Sequence, residues 1–466
     1  MKKQLSIYTY ILLLAGTVIT SCKKLIEIDA PADQLVTSSV FLDTLTADAA
    51  LTGMYSRAAN PNPGTDMGTA TSMFNSMSAD ETYCYIYNFY DDFTNNALTP
   101  QIYYVDALWG TLYNNIFTAN SVITGLSGSP LPEGYKTRCT AEAKFMRALS
   151  YFYLVNEFGA APLVMSTDVH NTTRQPRDSA NIVYDQIEKD LTEAQQVLPA
   201  TLDLYGGKRI RATTWAATAL LARVYLYRGK WQQAENMATT VINNPGLFRM
   251  KEDLSQVFLA NSEEGILQFV NGITSSWLAN NFVPFAASPT PKFVLKDGLY
   301  TAFETGDKRK DNWIGIKTYG GVDYPYPAKY RYMSGVGAVE YMQVLRLSEQ
   351  YLIRAEARMR QQHFTDAAAD INIVRARAGL SQTTATDAPS LITAIEKERR
   401  TEFFCEWGQR WLDLKRWPGI ANTAVTRADE VLSTLKGTMW QGTDAFYPIP
   451  QAQINANLNL SQNPGY

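Results

Sequence analysis

The sequence predicts a mainly α-helical protein, built from stacked helical hairpins that form a right-handed scaffold and broken by a loop-rich insertion with short strands. Three observations carry this. Apolar residues recur at three- and four-residue spacing over much of the chain. One hairpin pattern occurs twice in the same register, 133 residues apart. Between the copies, over residues 246–340, helical periodicity fades and Gly, Pro, Tyr and Trp rise.

The chain opens with Lys2 and Lys3 and an apolar run from Ile7 to Ile19. That run is shorter than the roughly 20 residues a spanning helix needs and has the form of a secretory signal. It ends in Ile19-Thr20-Ser21-Cys22, an aliphatic residue, two small ones and cysteine, which resembles a bacterial lipobox. The resemblance implies cleavage after residue 21 and a lipid on Cys22, so residues 1–21 are assigned as signal and 22–45 as lipidated N-terminus and tether.

Residues 46–245 form the first helical region. Ala47, Ala50, Leu51, Met54 and Ala58 make one stripe, and the Asn60-Pro61-Asn62-Pro63-Gly64 loop follows. Trp109, Tyr113, Ile116, Phe117, Asn120 and Ile123 make a second, ended by Pro130 and Pro132; Ala141 to Phe158 and 178–198 are further helices. The repeat then appears as Ala222, Tyr225, Gly229, Trp231 and Ala234. Its small-aromatic-Gly-aromatic-small spacing resembles a tetratricopeptide repeat, in which small residues let two helices approach and glycine makes the turn. Ala355, Phe364 and Ala367 repeat it, with Arg358 in place of the tyrosine and Gln362 in place of the glycine. In the insertion, Val257-Phe258-Leu259 and Gly265 to Val270 read as strands. Residues 341–466 return to helix.

Composition excludes several functions. The 466 residues hold 42 basic and 45 acidic side chains, a formal charge of −3 that becomes −5 without Lys2 and Lys3. A mildly acidic surface argues against a nucleic-acid partner. His170 and His363 are the only histidines, which argues against a zinc site, and no other cofactor or metal is expected. Gly125-Leu126-Ser127-Gly128-Ser129 fails the nucleophile-elbow pattern at its last position. Cys84, Cys139 and Cys405 are too scattered for a metal cluster and are expected to be buried thiols. Aromatics, by contrast, reach 12%, with 27 Tyr and 9 Trp, side chains that join a flat apolar face to a hydrogen-bonding edge.

With these features in order, the chain resembles the SusD/RagB family of outer-membrane nutrient-binding lipoproteins of Bacteroidota. The resemblance is carried by Ala49 to Tyr55, by Trp109, Tyr113, Ile116, Ala119 and Asn120, and by Arg147-Ala148-Leu149 with Phe158-Gly159. It is closest at the C-terminal end, in Leu345-Arg346-Leu347, Tyr351 to Ala357, Ile371 to Leu380, Glu398 to Trp417, and Tyr447-Pro448-Ile449-Pro450 through Tyr466. It implies a protein without catalytic activity that takes up a glycan or oligosaccharide at the cell surface. The implied partner is a SusC-type TonB-dependent transporter, and the implied place is the outer membrane, lipid-anchored and facing outward.

Candidate ligand contacts follow. Tyr83, Tyr85, Tyr87 and Phe89 alternate at period two, as a half-buried strand or an aromatic platform would. Asp80 stands just before them, where the family carries an acidic pair near its ligand loops, and Tyr103 and Tyr104 lead into the Trp109 helix. Trp277, Trp313 and Tyr319 are the candidates of the insertion. Asp307, Arg309, Lys329 and Tyr330 read as structural.

Two rival functions are a glycoside hydrolase and a pure protein-interaction scaffold. Glu398, Glu402, Glu406 and Asp413 would supply a hydrolase's carboxylate pair. Their three- and four-residue spacing to Arg399, Arg410 and Arg416, like that of Glu396 to Arg400, favours local ion pairs instead. A scaffold would bind no glycan, and its function would survive loss of Trp277, Trp313 and Tyr319.

Overall fold

The computed structural model describes residues 40–59, 66–270, 277–333 and 337–466. The signal, Cys22, the tether to residue 39 and the Asn60–Gly64 loop lie outside the described residues. No described helix is long and apolar enough to cross a membrane.

Helix α1 (Thr44–Ala58) starts where the Asp43 carboxylate accepts the N–H groups of Leu45 and Thr46. It buries Ala47, Leu51, Met54 and Ala58. Helix α2 (Met67–Ser78) is buried along its whole length. Its many small polar residues hide this from hydropathy, because their hydroxyls are used internally: Thr71 donates to the Met67 carbonyl and Ser76 pairs with Thr82. Then come α3 (Tyr103–Ser127), α4 (Glu133–Phe158) and α5 (Ala180–Val197), the last capped by Ser179.

From α3 onward each helix packs on the next. The order continues through α6 (Thr214–Tyr227), α7 (Trp231–Ile242), α8 (Leu347–Arg360), α9 (Phe364–Arg377) and α10 (Ala388–Phe403). The stack thus steps from α7 to α8 across the whole insertion. The two repeat copies are its centre. Ala222, Ala234, Ala355 and Ala367 are all fully buried, as close helix approach requires.

The copies share a turn as well. Gly229 has φ +68° and Gln362 φ +66°. Lys230 N–H donates to the Tyr225 carbonyl at 2.9 Å, and His363 N–H to the Arg358 carbonyl at 2.9 Å. Both are left-handed helix C-caps of the same hydrogen-bond pattern, so the glutamine occupies a glycine's backbone. Arg358, where the first copy has Tyr225, pairs with Glu235 at 2.9 Å and Asp370 at 2.9 Å and so ties the copies together by charge.

Among the described residues, six short strands form three antiparallel ladders: β1 (Thr82–Cys84) with β3 (Phe293–Leu295), β2 (Gly265–Phe269) with β6 (Met342–Arg346), and the hairpin of β4 (Ile314–Tyr319) and β5 (Val322–Pro327). The insertion is therefore woven into the regions on both sides. Two strand expectations are corrected. Val257 and Phe258 follow a 3-10 turn and are buried without a ladder, and only Leu259 forms a bridge, to Glu340. The Tyr83–Phe89 run is strand only to Cys84, after which the backbone turns into the 3-10 segment Asn88–Tyr90.

The C-terminal carboxylates are structural, but with other partners than their spacing suggests. Helix α10 ends at Phe403 and α11 (Gln409–Arg416) begins at Gln409. Between them Cys405, Trp407 and Gly408 all have positive φ, at 55°, 48° and 64°. A Cβ on Gly408 would lie 2.0 Å from Asn75 Nδ2, so this corner needs glycine for space as well as conformation. The break destroys helical spacing, and of the local pairs expected from spacing Asp413–Arg416 forms, at 2.8 Å. Glu406 instead meets Lys329 at 2.5 Å and Arg346 at 2.8 Å. Glu402 meets Arg346 at 2.5 Å, Arg309 at 3.2 Å and Arg377. Glu398 pairs with Arg309 at 2.6 Å, and Arg399 with Asp413 at 2.5 Å. Glu264 joins the cluster at 3.0 Å from Arg346. These groups are buried, and they lock the insertion to the C-terminal helices.

Candidate aromatic binding surface

The β1–β3 ladder sets the site. Tyr83 faces Val294 across it, and Tyr85 N–H adds one more bond to the Lys292 carbonyl at 2.8 Å. Beyond Cys84 the chain leaves the ladder, and Tyr85, Tyr87 and Phe89 are exposed. They stand on a buried aromatic base: Phe74 stacks on Phe93 at 4.4 Å, and Tyr90 lies between Phe74, Phe89 and Phe293.

Three further segments join this face. At the start of α3, Tyr104 packs against Phe89 at 5.9 Å and Tyr90 at 5.0 Å, and Tyr103, 66% exposed, meets Tyr104 edge-on at 5.3 Å. From the insertion, the Lys292 ammonium lies 5.5 Å from the Tyr87 ring centre and donates to Asn281 Oδ1 at 3.1 Å. Asn281 lies in the short helix Trp277–Phe282 and donates to the Trp277 carbonyl at 2.9 Å, which puts half-buried Trp277 one turn from the lysine's anchor.

The β4–β5 hairpin brings Tyr324. Its ring meets Tyr85 edge-on at 5.0 Å, and the two hydroxyls are 3.2 Å apart. Tyr324 faces Lys317 across the hairpin, and Tyr319, two residues along the strand and 57% exposed, points to the same side. Tyr326 lies over Gly315, where a Cβ would be 2.2 Å from the ring. The hairpin turns at Gly320 and Gly321, both with positive φ.

The surface therefore offers π-faces for stacking on flat apolar groups, phenol hydroxyls at the ring edges and the Lys292 ammonium. Tyr83, Tyr103, Tyr104 and Tyr319 belong to it, and Trp277 borders it. Tyr85, Tyr87 and Phe89 were legible as part of the alternating run. Tyr324 and Lys292 were not singled out, because only the ladder and the hairpin bring them there.

Two candidates are not on this surface. Asp80 is 2% exposed and accepts a two-pronged bond from Arg410 at 2.8 and 3.0 Å and a third contact from Arg400 at 2.7 Å. Burial alone would raise its carboxyl, but Arg410 and Arg400 outweigh it and hold the group well below the usual carboxylate range. Trp313 is 0% exposed, donates its indole N–H to the Leu254 carbonyl at 3.1 Å and packs on Phe258. Both are core residues. Asp307, Arg309, Lys329 and Tyr330 are buried, in line with a structural role, and so are the free thiols of Cys84, Cys139 and Cys405.

Glu81, beside Asp80, leads to a pH prediction. Burial first, and the Asp80 charge second, push its carboxyl from 4.5 up to about 8, and its Oε2 accepts the Cys405 N–H at 3.1 Å. Between about 4.5 and 8 the folded chain keeps a proton that the unfolded chain releases. Its contribution to stability is therefore full at low pH and falls as pH rises through that window. Glu81→Gln, which keeps the acceptor, removes this loss. Denaturant melts from pH 5 to 8 should show the variant gaining on the parent as pH rises; a constant difference would refute the assignment.

A stack of helical hairpins presenting a patch of exposed rings defines a class, the helical-repeat binding proteins. The comparisons place the chain within it. A family model described as the SusD family matches residues 226–466, and one described as "Starch-binding associating with outer membrane" matches residues 29–226. The chain belongs to the SusD family. It is 27% identical over 392 residues to a SusD-like protein of Bacteroides ovatus, covering 70% of this chain and 68% of the relative. Among solved structures, a SusD superfamily protein from Bacteroides vulgatus shares the fold with a TM-score of 0.78 at 20% identity, covering 91% of this chain and 99% of that one. A structure named as a laminarin-binding SusD-like protein gives a TM-score of 0.73 at 26% identity, covering 91% and 100%. The family is one of glycan-binding proteins, and the chain is a binding protein, not an enzyme.

Proposed function

We propose that the chain is acylated on Cys22, sits in the outer membrane facing outward, and holds a neutral glycan against the ring surface for delivery to a SusC-type TonB-dependent barrel. The observation that carries this reading is the convergence of Tyr85, Tyr103, Tyr319 and Tyr324, from three separate stretches of chain, on one exposed face. Rings stack on the C–H faces of sugars, and phenol hydroxyls bond sugar hydroxyls at the edge. The starch-binding description of the family and the laminarin-binding neighbour support a glucan as ligand. The Ile19-Thr20-Ser21-Cys22 pattern supports the anchor.

The test is electrophoresis of the purified chain through gels containing laminarin, starch or other polysaccharides, with pull-down of the tagged chain from native membranes. The expected result is retardation by at least one neutral glycan, no new reducing ends, and a TonB-dependent barrel in the pull-down. Free migration in every gel would sink the glycan reading, and absence of the barrel would sink the delivery step.

A further inference from the structure

At the other end of β3 from Lys292 lies a cavity of about 380 Å³, lined by Asp80, Lys296, Gly298, Arg400, Arg427 and Glu430 among others. That volume is at the lower end of the small-molecule range of about 300–1,000 Å³. Its charges do not balance. Four cations, Lys296, Arg400, Arg410 and Arg427, face three carboxylates, Asp80, Glu396 and Glu430.

Each carboxylate is already engaged. Asp80 is held by Arg410 and Arg400. Glu396 accepts from Arg410 at 2.8 Å and Arg427 at 3.0 Å. Glu430 accepts from Arg427 at 2.5 Å and from the N–H groups of Ile420 at 2.8 Å and Asn422 at 2.7 Å. Lys296 is left over, with only the charge of Asp80, already bonded to Arg410 and Arg400, acting on it. Its backbone N–H is fixed to the Glu81 carbonyl at 2.8 Å, while its ammonium has no hydrogen bond or ion pair among the described residues. Arg400 spends one nitrogen on Asp80, and its Nε is buried without an acceptor. Behind the cavity Lys436 is buried against the Ser78 carbonyl at 2.7 Å. Burial first, and the Lys296 charge next, push that ammonium down to about 6. The lining thus holds one more cation than carboxylates, and Lys296 is the cation without an acceptor.

We propose that this cavity is a second ligand site, an oxyanion pocket in which Lys296 Nζ donates to a carboxylate or phosphate group and the Arg400 guanidinium adds its charge. The site is separate from the ring surface and does not depend on the glycan reading. Two sources share its chemistry, an acidic sugar and free inorganic phosphate.

The experiment titrates the full chain with D-glucuronate, with sodium phosphate and with D-glucose at constant ionic strength. It follows binding in the parent, in Lys296→Gln and in Lys189→Gln, an exposed lysine of α5. A charge-assisted hydrogen bond is worth enough to weaken binding about tenfold or more when removed. The expected result is saturable binding of at least one anion, weakened by that factor in Lys296→Gln and unchanged in Lys189→Gln, while any glucose binding is the same in all three proteins. Glucuronate alone would assign an acidic sugar, and phosphate alone the free ion. No saturable anion binding in the parent, or equal binding in Lys296→Gln, overturns the proposal.

Discussion

Replacing Glu402 by Gln should lower stability by about 3–5 kcal/mol, the range for breaking a buried ion cluster from one side. Glu402 is fully buried and faces Arg309, Arg346 and Arg377. Burial would raise its carboxyl, but the charges of Arg377, Arg346 and Arg309 outweigh that and hold it well below 4.5. Glutamine keeps the shape and leaves three guanidinium groups with too little negative charge. The sign with pH follows. Stability from this carboxylate is present above its unfolded value of 4.5 and is lost as pH falls below it. The gap between parent and variant in denaturant midpoint should therefore narrow in acid. Lys397→Ala, which removes a half-exposed partner of Glu304, serves as control and should stay within about 0.5 kcal/mol. A Glu402→Gln midpoint as close to the parent as the control's would contradict the network's role.

The second large effect concerns binding. Tyr85→Ala with Tyr103→Ala removes one exposed ring from each side of the surface. At about 1.5 kcal/mol per stacked ring, the pair should weaken the best glycan by roughly 100-fold. Both rings project from the core, so the circular dichroism spectrum and melting midpoint should stay near those of the parent. Undiminished affinity in the double variant would move the ligand away from this face.

Sequence reasoning reached the frame better than the face. The hairpin repeat was readable because burial of Ala222 and Ala355 at one spacing is a local demand, met again wherever the helix pair recurs. The left-handed turn at Gln362 was visible only by register, since glutamine does not announce positive φ. Helix α2 escaped because its buried residues are small and polar. Asp80 and Trp313 misled for a related reason. An acid beside a tyrosine run, and a tryptophan in a loop-rich stretch, look alike whether they meet ligand or core. Their partners, Arg410 for Asp80 and Leu254 for Trp313, lie 330 and 59 residues away. The C-terminal carboxylates show the same limit. Their structural role was legible, but one corner with three left-handed residues re-paired them across the fold.

The contact between Tyr85 and Tyr324 joins residues 239 apart in sequence. Contacts of such long range must pay a large loop-closure entropy before they form, and they form late. The neighbouring helices can pack pairwise as they emerge, but the ring face cannot exist until the chain has been made past the hairpin and the β1–β3 ladder has closed. On the proposed reading, an unfolded chain therefore carries its tyrosines with no glycan affinity. Glycan retention by the proposed face would then need the finished shape and double as a reporter of complete folding.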